Sequence, residues 1–324
     1  MDRQYVNTLS DGQSVDEYFL LADKQLRANR NAETYLLVQL RDRTGQISGF
    51  LWNVREDVAA TVSTGEIVLA RGRVQLYQGN LQMILTHIEP AERDDLDMVD
   101  YIPESSQNTG ELLEKLRSIM SDIEDEDLKA LMQTFLDDTA LVEQLCRCPA
   151  GIKLHHAFHG GLLEHIVNLM LTARQIRDLY PAVNFDLLTV GIFLHDLGKT
   201  RELEYESTFS YSDEGQLIGH LVQGVEMLNE KVLLLETSTG RPFPTEMLLR
   251  IKHMIVSHHG SYEYGSPKLP MTPEAIALHH LDNLDAKLNE FQSLIDSDPN
   301  SDSVWTPYNT NLQRKIFKGV PAED

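Results

Sequence analysis

LHDLGK, residues 194–199, closes the apolar run Leu187–Leu194 and decides the reading of the chain around it. A segment so apolar is a helix buried on most sides, so the polar groups at its end lie partly in the core and need partners. A lone His-Asp pair is most simply a surface histidine beside a helix-terminal acid. Here, however, eleven of the twelve histidines fall between His155 and His280, in short separate clusters. Histidine is the commonest metal ligand. An adjacent imidazole and carboxylate offer one cation a nitrogen and an oxygen, while the second carboxylate oxygen reaches another. Asp196 is therefore the candidate bridging ligand.

Outward from this motif the histidines sit at helical positions. Gly160-Gly161-Leu162-Leu163-Glu164-His165 opens a helix predicted to reach about Leu179, before Pro181, with His165 bordering the stripe Leu162, Ile166, Leu169 and Ala173. Ile218-Gly219-His220 starts another. Met247–Gly260 ends in Ser257-His258-His259-Gly260, with Gly260 as C-cap. Ala275–Phe291 is expected to point Leu281, Leu284, Leu288 and Phe291 inward, with Asp282 beside them. Thr109–Leu145 shows the same spacing in Leu112, Leu116, Ile119 and Met120, so residues 109–324 read as all helix. Cys146 and Cys148 are too close for an easy disulfide and read as reduced thiols at a helix end. His87 and His253 read as structural.

Upstream the period changes to that of strands. Val15–Leu21, Thr34–Leu40, Gln46–Trp52, Ile67–Tyr77 and Leu81–Ile88 are predicted strands, with a tight turn at Asp42-Arg43-Thr44-Gly45 and a helical interlude near Val54–Val62. Five strands so arranged suggest a Greek-key barrel of the OB type, whose open face binds oligonucleotides or oligosaccharides. Arg41, Arg43, Arg71 and Arg73, with Tyr77 and Trp52, can supply the charge and stacking surfaces that single strands need. The plainer reading makes Arg71 and Arg73 outward strand residues and Trp52 core. Residues 91–108 are acidic and polar and read as a linker, giving domains 1–90 and 109–324.

The net charge is -22, which argues against holding nucleic acid by bulk electrostatics. The acidity is uneven: residues 1–90 hold 9 Lys+Arg against 11 Asp+Glu, and the rest 19 against 39. No run approaches the length of a membrane helix and the first residues lack an apolar signal, so a cytoplasmic protein without membrane contact is expected.

The order His165, His195-Asp196, His220, His258-His259, Asp282 matches the H...HD...H...HH...D pattern of HD-domain metal-dependent phosphohydrolases. With a barrel in front, HHAFHGGLLEH before the first ligand and HHLDNLDAKL at the last, the chain resembles the YhaM-type 3′→5′ exoribonucleases over nearly its whole length. The resemblance extends to Trp305 and the basic stretch Arg314-Lys315-Ile316-Phe317-Lys318. It departs at His159, where an apolar or aromatic residue is expected.

The resemblance implies hydrolysis of single-stranded RNA, with DNA as an alternative, from the 3′ end. It implies two divalent metal ions, manganese or cobalt first and iron, nickel or magnesium as alternatives. One metal would be held by His165, His195, Asp196 and Asp282, the other by Asp196, His220, His258 and His259. Lys199 is then a candidate for stabilising charge on phosphate oxygens, or it offsets a helix C-terminus. His155 and His156 either contact the substrate or pack at a turn, and His279 is a candidate partner of Asp282. Two other readings stand beside this one. A phosphohydrolase of small or cyclic nucleotides would use the barrel for assembly, and a non-catalytic RNA-binding module would carry a relic site. Homo-oligomerisation is left open.

Overall fold

The computed structural model describes residues 3–28, 33–54, 59–77, 79–91, 96, 100–101, 107–152, 158–205, 209–296, 298, 300 and 303–319. The chain divides into two compact units, Met1–Pro103 with Phe291–Asp324, and Glu104–Glu290.

The expected barrel is present. Strands β1 (Ser14–Ala28), β2 (Thr34–Asp42), β3 (Gly45–Trp52), β4 (Ile67–Tyr77) and β5 (Asn80–Pro90) close in the order β1-β2-β3-β5-β4, with β3 and β5 parallel. β1 is longer than its sequence suggests because it serves two neighbours, β4 through Ser14–Leu20 and β2 through Leu20–Ala28. A bulge between Leu21 and Asp23 carries it from one to the other and interrupts the alternation that marks a strand.

Phe19, Leu21, Leu36, Val38, Leu40, Val68, Val74 and Met83 fill the interior, each fully buried. Burial of one such side chain stabilises the fold by about 1.5–3 kcal/mol. Gly72 sits at the bulge where β4 meets β5, and a Cβ there would lie 2.4 Å from the Ile84 carbonyl oxygen. The predicted β2–β3 turn is closed by buried Asp42, which accepts from the backbone N–H of Val6 at 2.6 Å and of Thr44 at 2.7 Å. Asp100, from the stretch read as linker, accepts from Arg3 at 2.9 Å and from Tyr5 at 3.1 Å.

The helical unit contains α1 (Thr109–Ser121), α2 (Glu126–Leu136), α3 (Thr139–Arg147), α4 (Gly161–Ile176), α5 (Phe185–Leu194), α6 (Lys199–Glu202), α7 (Asp213–Leu217), α8 (His220–Thr239) and α9 (Thr245–Ser257). The longest helix, α10 (Pro273–Asp296), follows. Side chains of Asn108, Asp125, Asp138 and Asn184 cap α1, α2, α3 and α5 by accepting backbone N–H groups.

Extended backbone interrupts the region read as helix throughout. β6 (Leu203–Glu204) pairs with β7 (Ser210–Tyr211), and the terminal segment forms bridges Trp305–Phe317 and Asn309–Arg314. A second correction concerns α10: Leu281 is buried as expected, but Leu284 and Leu288 are 48% and 62% exposed. Periodicity shows which residues share a helix face, not how far along the helix a neighbour covers it.

Candidate metal centre and nucleic-acid face

α5 is buried from Leu187 to Leu194 except at Thr189, and ends where the His195 N–H bonds the Gly191 carbonyl at 2.9 Å. The chain then turns through Asp196 to Gly198 into α6. Gly198 is required there: a Cβ would lie 2.1 Å from the His220 carbonyl oxygen and 2.8 Å from the Gly224 nitrogen. The first turn of α8 therefore rests directly on the His-Asp motif and brings His220 to Asp196. Gly219, at φ +79, starts that helix in a conformation side chains disfavour. α9 delivers His258 and His259 at its end. The next residue, Gly260 at φ +80, lies where a Cβ would enter the His279 ring.

Two groups of donor atoms converge. His165, His195 and Asp282 form one, with His165 Nε2 3.3 Å from Asp282 Oδ1 and 3.4 Å from His195 Nε2. His220, His258 and His259 form the other, with ring centroids 5.3 Å apart for His220–His259 and 4.3 Å for His258–His259. Asp196 stands between the groups. Its Oδ2 lies 3.4 Å from His195 Nε2, and its Oδ1 lies 3.4 Å from His220 Nε2 and 3.5 Å from His258 Nε2. All seven residues read as ligands in the sequence thus meet, and His165, His195, Asp196 and His258 are almost fully buried.

The far side of each ring decides what the near side offers. His195 Nδ1 donates to the Ile192 carbonyl at 2.7 Å and His258 Nδ1 to the Ile255 carbonyl at 2.8 Å. His220 Nδ1 donates to Glu202 Oε1 at 3.0 Å. With those protons committed, the Nε2 lone pairs face a carboxylate that offers only lone pairs. Among the described residues, Asp196 Oδ1, His220 Nε2 and His259 Nδ1 are buried with no hydrogen-bond partner. Opposed acceptors out of water are unfavourable unless a cation lies between them. The donor set of imidazole nitrogens and carboxylate oxygens fits divalent transition metals.

The charges agree. Burial alone would raise the Asp196 carboxyl, but Lys199 and the facing imidazoles outweigh it and hold it well below the usual carboxylate range. Burial opposes charge on His165 too, yet Asp282 and Asp285 overcome it and raise its pKa to about 9. His258, with burial dominant, is lowered to about 4 and stays neutral. Lys199 donates from Nζ to Asp196 Oδ2 at 2.7 Å and to the Ala150 carbonyl at 2.6 Å.

Three supporting residues escape a reading of the sequence. Asp285 accepts from His165 Nδ1 at 2.7 Å; its place three residues after Asp282, on the same helix face, is a signal that points to it. Glu202 holds His220 through both ring and backbone N–H, a contact across 18 residues with no local signature. Gln223, one turn beyond His220, is fully buried with both amide atoms unpartnered among the described residues. His279 corrects an expectation: its Nδ1 donates to the His258 carbonyl at 2.8 Å, so it braces the histidine pair and not Asp282. His159 donates to the Arg147 carbonyl at 2.9 Å and packs edge-on against Phe209, which explains a polar residue at that position. His253 accepts the Met271 N–H at 2.9 Å and His87 pairs with Glu89 at 3.1 Å, both structural as read. His155 and His156 lie outside the described residues.

On the barrel the outward faces of β2 and β3 carry Tyr35, Phe50 and Trp52, with centroids 4.8 Å apart for Tyr35–Trp52 and 6.0 Å for Phe50–Trp52. Trp52 is 46% exposed, so it is not core, and Tyr35 and Phe50 were not singled out by sequence. Cross-strand register sets Arg73, Ile84, Phe50 and Leu37 in one row. Arg41 is on the same side of β2 as Tyr35 and partly buried, its pKa lowered to about 10 by burial. Arg43 stacks over Tyr5 and sits 3.8 Å from Asp100, Arg71 pairs with Asp16 at 3.0 Å, and Arg73 donates to the Gly12 carbonyl at 3.0 Å. Tyr77 is exposed at the end of β4.

Residues 21–91 match the family described as OB-fold nucleic acid binding domain, and residues 162–287 match the HD domain. Barrel and His/Asp cluster thus define an HD-domain phosphohydrolase with an attached nucleic-acid-binding fold. Proteins named 3′-5′ exoribonuclease YhaM are similar along most of the chain. The one from Bacillus velezensis is 34% identical over 86% of each chain, and that from Bacillus subtilis 33% over 86% of each. The one from a Geobacillus species is 31% identical over 97% of this chain and 95% of its own. The chain belongs to the YhaM exoribonuclease family.

Proposed function

We propose that the protein is a metal-dependent 3′→5′ exoribonuclease that hydrolyses phosphodiester bonds of single-stranded RNA. The observation that carries the chemistry is the buried Asp196 carboxylate, with one oxygen turned to each histidine group and one of them unpartnered.

In this reading His165, His195, Asp196 and Asp282 hold one divalent cation and Asp196, His220, His258 and His259 a second, with manganese or cobalt as the metals the family resemblance implies. Such a pair, when bound, supplies Lewis-acid stabilisation of charge on the phosphate and a water nucleophile usable at neutral pH. Glu202, Asp285 and the Ile192 and Ile255 carbonyls keep the Nε2 lone pairs aimed inward. Lys199 keeps Asp196 ionised through their ion pair, and in this reading its ammonium also balances charge growing on a phosphate oxygen. The barrel binds the strand behind the 3′ end, with Tyr35, Phe50, Trp52 and Tyr77 stacking on bases and Arg41, Arg43, Arg71 and Arg73 meeting phosphates.

Among the described residues no helix is long and apolar enough to cross a membrane, and a cytoplasmic site of action goes with an RNA substrate. The exposed apolar residues Ile276, Leu284 and Leu288 of α10 support self-association, which light scattering measures.

The deciding experiment incubates the protein with manganese and a 5′-labelled oligoribonucleotide, with the same oligomer blocked at its 3′ end, and with free and cyclic nucleotides. Stepwise shortening of the unblocked oligomer alone is expected. Consumption of small nucleotides without shortening would make the protein a nucleotide phosphohydrolase instead.

A further inference from the structure

The terminal segment 303–319 is absorbed neither by the metal centre nor by the barrel's aromatic face. Its backbone forms a short antiparallel ribbon: Thr306 N–H bonds the Ile316 carbonyl at 2.9 Å, Lys318 N–H the Val304 carbonyl at 2.8 Å, and Asn309 N–H the Arg314 carbonyl at 2.9 Å. The ribbon is two-faced. Thr306, Leu312 and Ile316 are buried, whereas Trp305, Pro307, Lys315 and Phe317 alternate with them and are exposed.

Trp305 and Phe317 are cross-strand partners with ring centroids 5.0 Å apart, and each leaves about half of its surface in water, 48% and 51%. Tyr308 is 58% exposed nearby in the chain. Around these rings the segment holds Arg314, Lys315 and Lys318 and no acidic residue, in a protein of net charge -22. Lys318 is paired with Asp298 at 2.7 Å, while the side chains of Arg314 and Lys315 are exposed.

We propose that this ribbon is a second single-strand RNA surface, with Trp305 and Phe317 stacking on bases and Arg314 and Lys315 meeting the phosphates between them. Ordered exposed rings flanked by cations are the composition of a strand-binding groove. Exposed rings and arginine also suit a protein interface, but such interfaces are depleted in lysine, whereas this segment holds Lys315 and Lys318 beside its rings and no carboxylate. The ribbon belongs to the same compact unit as the barrel, so the unit that carries the OB-type face carries a further stacking pair. The choice of RNA rests on the exoribonuclease reading; the surface itself rests on its rings and charges.

The chain has two tryptophans, Trp52 and Trp305, so Trp52→Phe makes Trp305 the sole indole reporter. The full-length Trp52→Phe protein is titrated, in a metal chelator, with an oligouridylate longer than about 16 nucleotides. Binding is followed in parallel by anisotropy of a labelled oligomer. A saturable change in indole emission at the concentration where anisotropy rises is expected. Trp305→Ala with Phe317→Ala should weaken binding by about 30-fold or more, and Lys315→Ala should lower the salt slope by about one. Unmoved emission while anisotropy reports binding, or no binding at all, overturns the proposal. So does emission that follows protein concentration with a matching mass change in light scattering, which would assign the rings to a second copy. An oligomer that quenches Trp305 but is never shortened with manganese would sink the exoribonuclease reading and leave this surface standing.

Discussion

At the scale of the residue, Asp196 is the carboxylate that faces both halves of the centre, one oxygen to each. Asp196→Asn keeps the volume but removes the charge and one acceptor. Bound manganese, measured by elemental analysis, is expected to fall from about two per chain to one or none, with hydrolysis lost. An unchanged metal count would remove Asp196 from the bridge. Glu202→Gln and Asp285→Asn leave the ligands in place but loosen the tautomers of His220 and His165, and each should cost about 10- to 100-fold in metal affinity or rate.

Two histidines also set opposite pH dependences on the metal-free fold. His165, raised to about 9, binds its proton more tightly folded than unfolded; the stability it contributes is complete below 6.5 and is lost as pH rises through 9. His258, lowered to about 4, does the reverse: the unfolded chain takes up the proton first, so stability falls as pH drops from 6.5 toward 4. Thermal melts without metal should therefore peak near the crossover. The rise in melting temperature produced by manganese should grow from pH 6.5 to 9, because the metal must displace the proton of His165. A manganese effect independent of pH over that range would contradict the assignment of His165.

At the scale of the element, glycines set how closely the ligand-bearing helices approach. Gly198→Ala would push its Cβ into the first turn of α8, and backbone cannot yield as a flexible side chain can. The expected result is a lower melting temperature together with a larger loss in metal affinity, since His220 moves with that turn. Calorimetry of manganese binding measures the second effect, and a variant that melts lower yet binds manganese normally would show that α8 is not positioned by this contact. Gly191→Ala is the control. Its Cβ meets the Met254 side chain, which has rotamers to spare, so the loss should be smaller.

At the scale of the whole molecule, remote contacts along a strand add binding while the helical unit carries the chemistry. Tyr35→Ala or Trp52→Ala should raise the apparent KM for long oligomers by about 5- to 100-fold and affect a dinucleotide far less. Steady-state rates against substrate length measure the difference, and equal losses on both would give the barrel a role in folding or assembly. Point substitutions test this more cleanly than removing residues 1–90, because Phe291–Asp324 shares the barrel's compact unit. With residues 91–324 at a net of -20, the length dependence should steepen at low salt.

What the sequence by itself determined is whatever rests on local patterning. The strands follow from period-2 runs and turn residues and the helices from apolar spacing and caps, while the candidate ligand set rests on the order of histidines and aspartates that the HD-domain resemblance carries. The YhaM-type resemblance named the class from the same residues. Tertiary structure alone decided the rest. Glu202 meets His220 because Gly198 lets two backbones touch, His279 turns to the His258 carbonyl, and Tyr35 joins Trp52 only once β2 and β3 are in register. The divided service of β1, the exposed end of α10 and the two-faced terminal ribbon follow the same rule. Each depends on which surface covers which, and coverage is a relation between segments distant in sequence that no local period encodes.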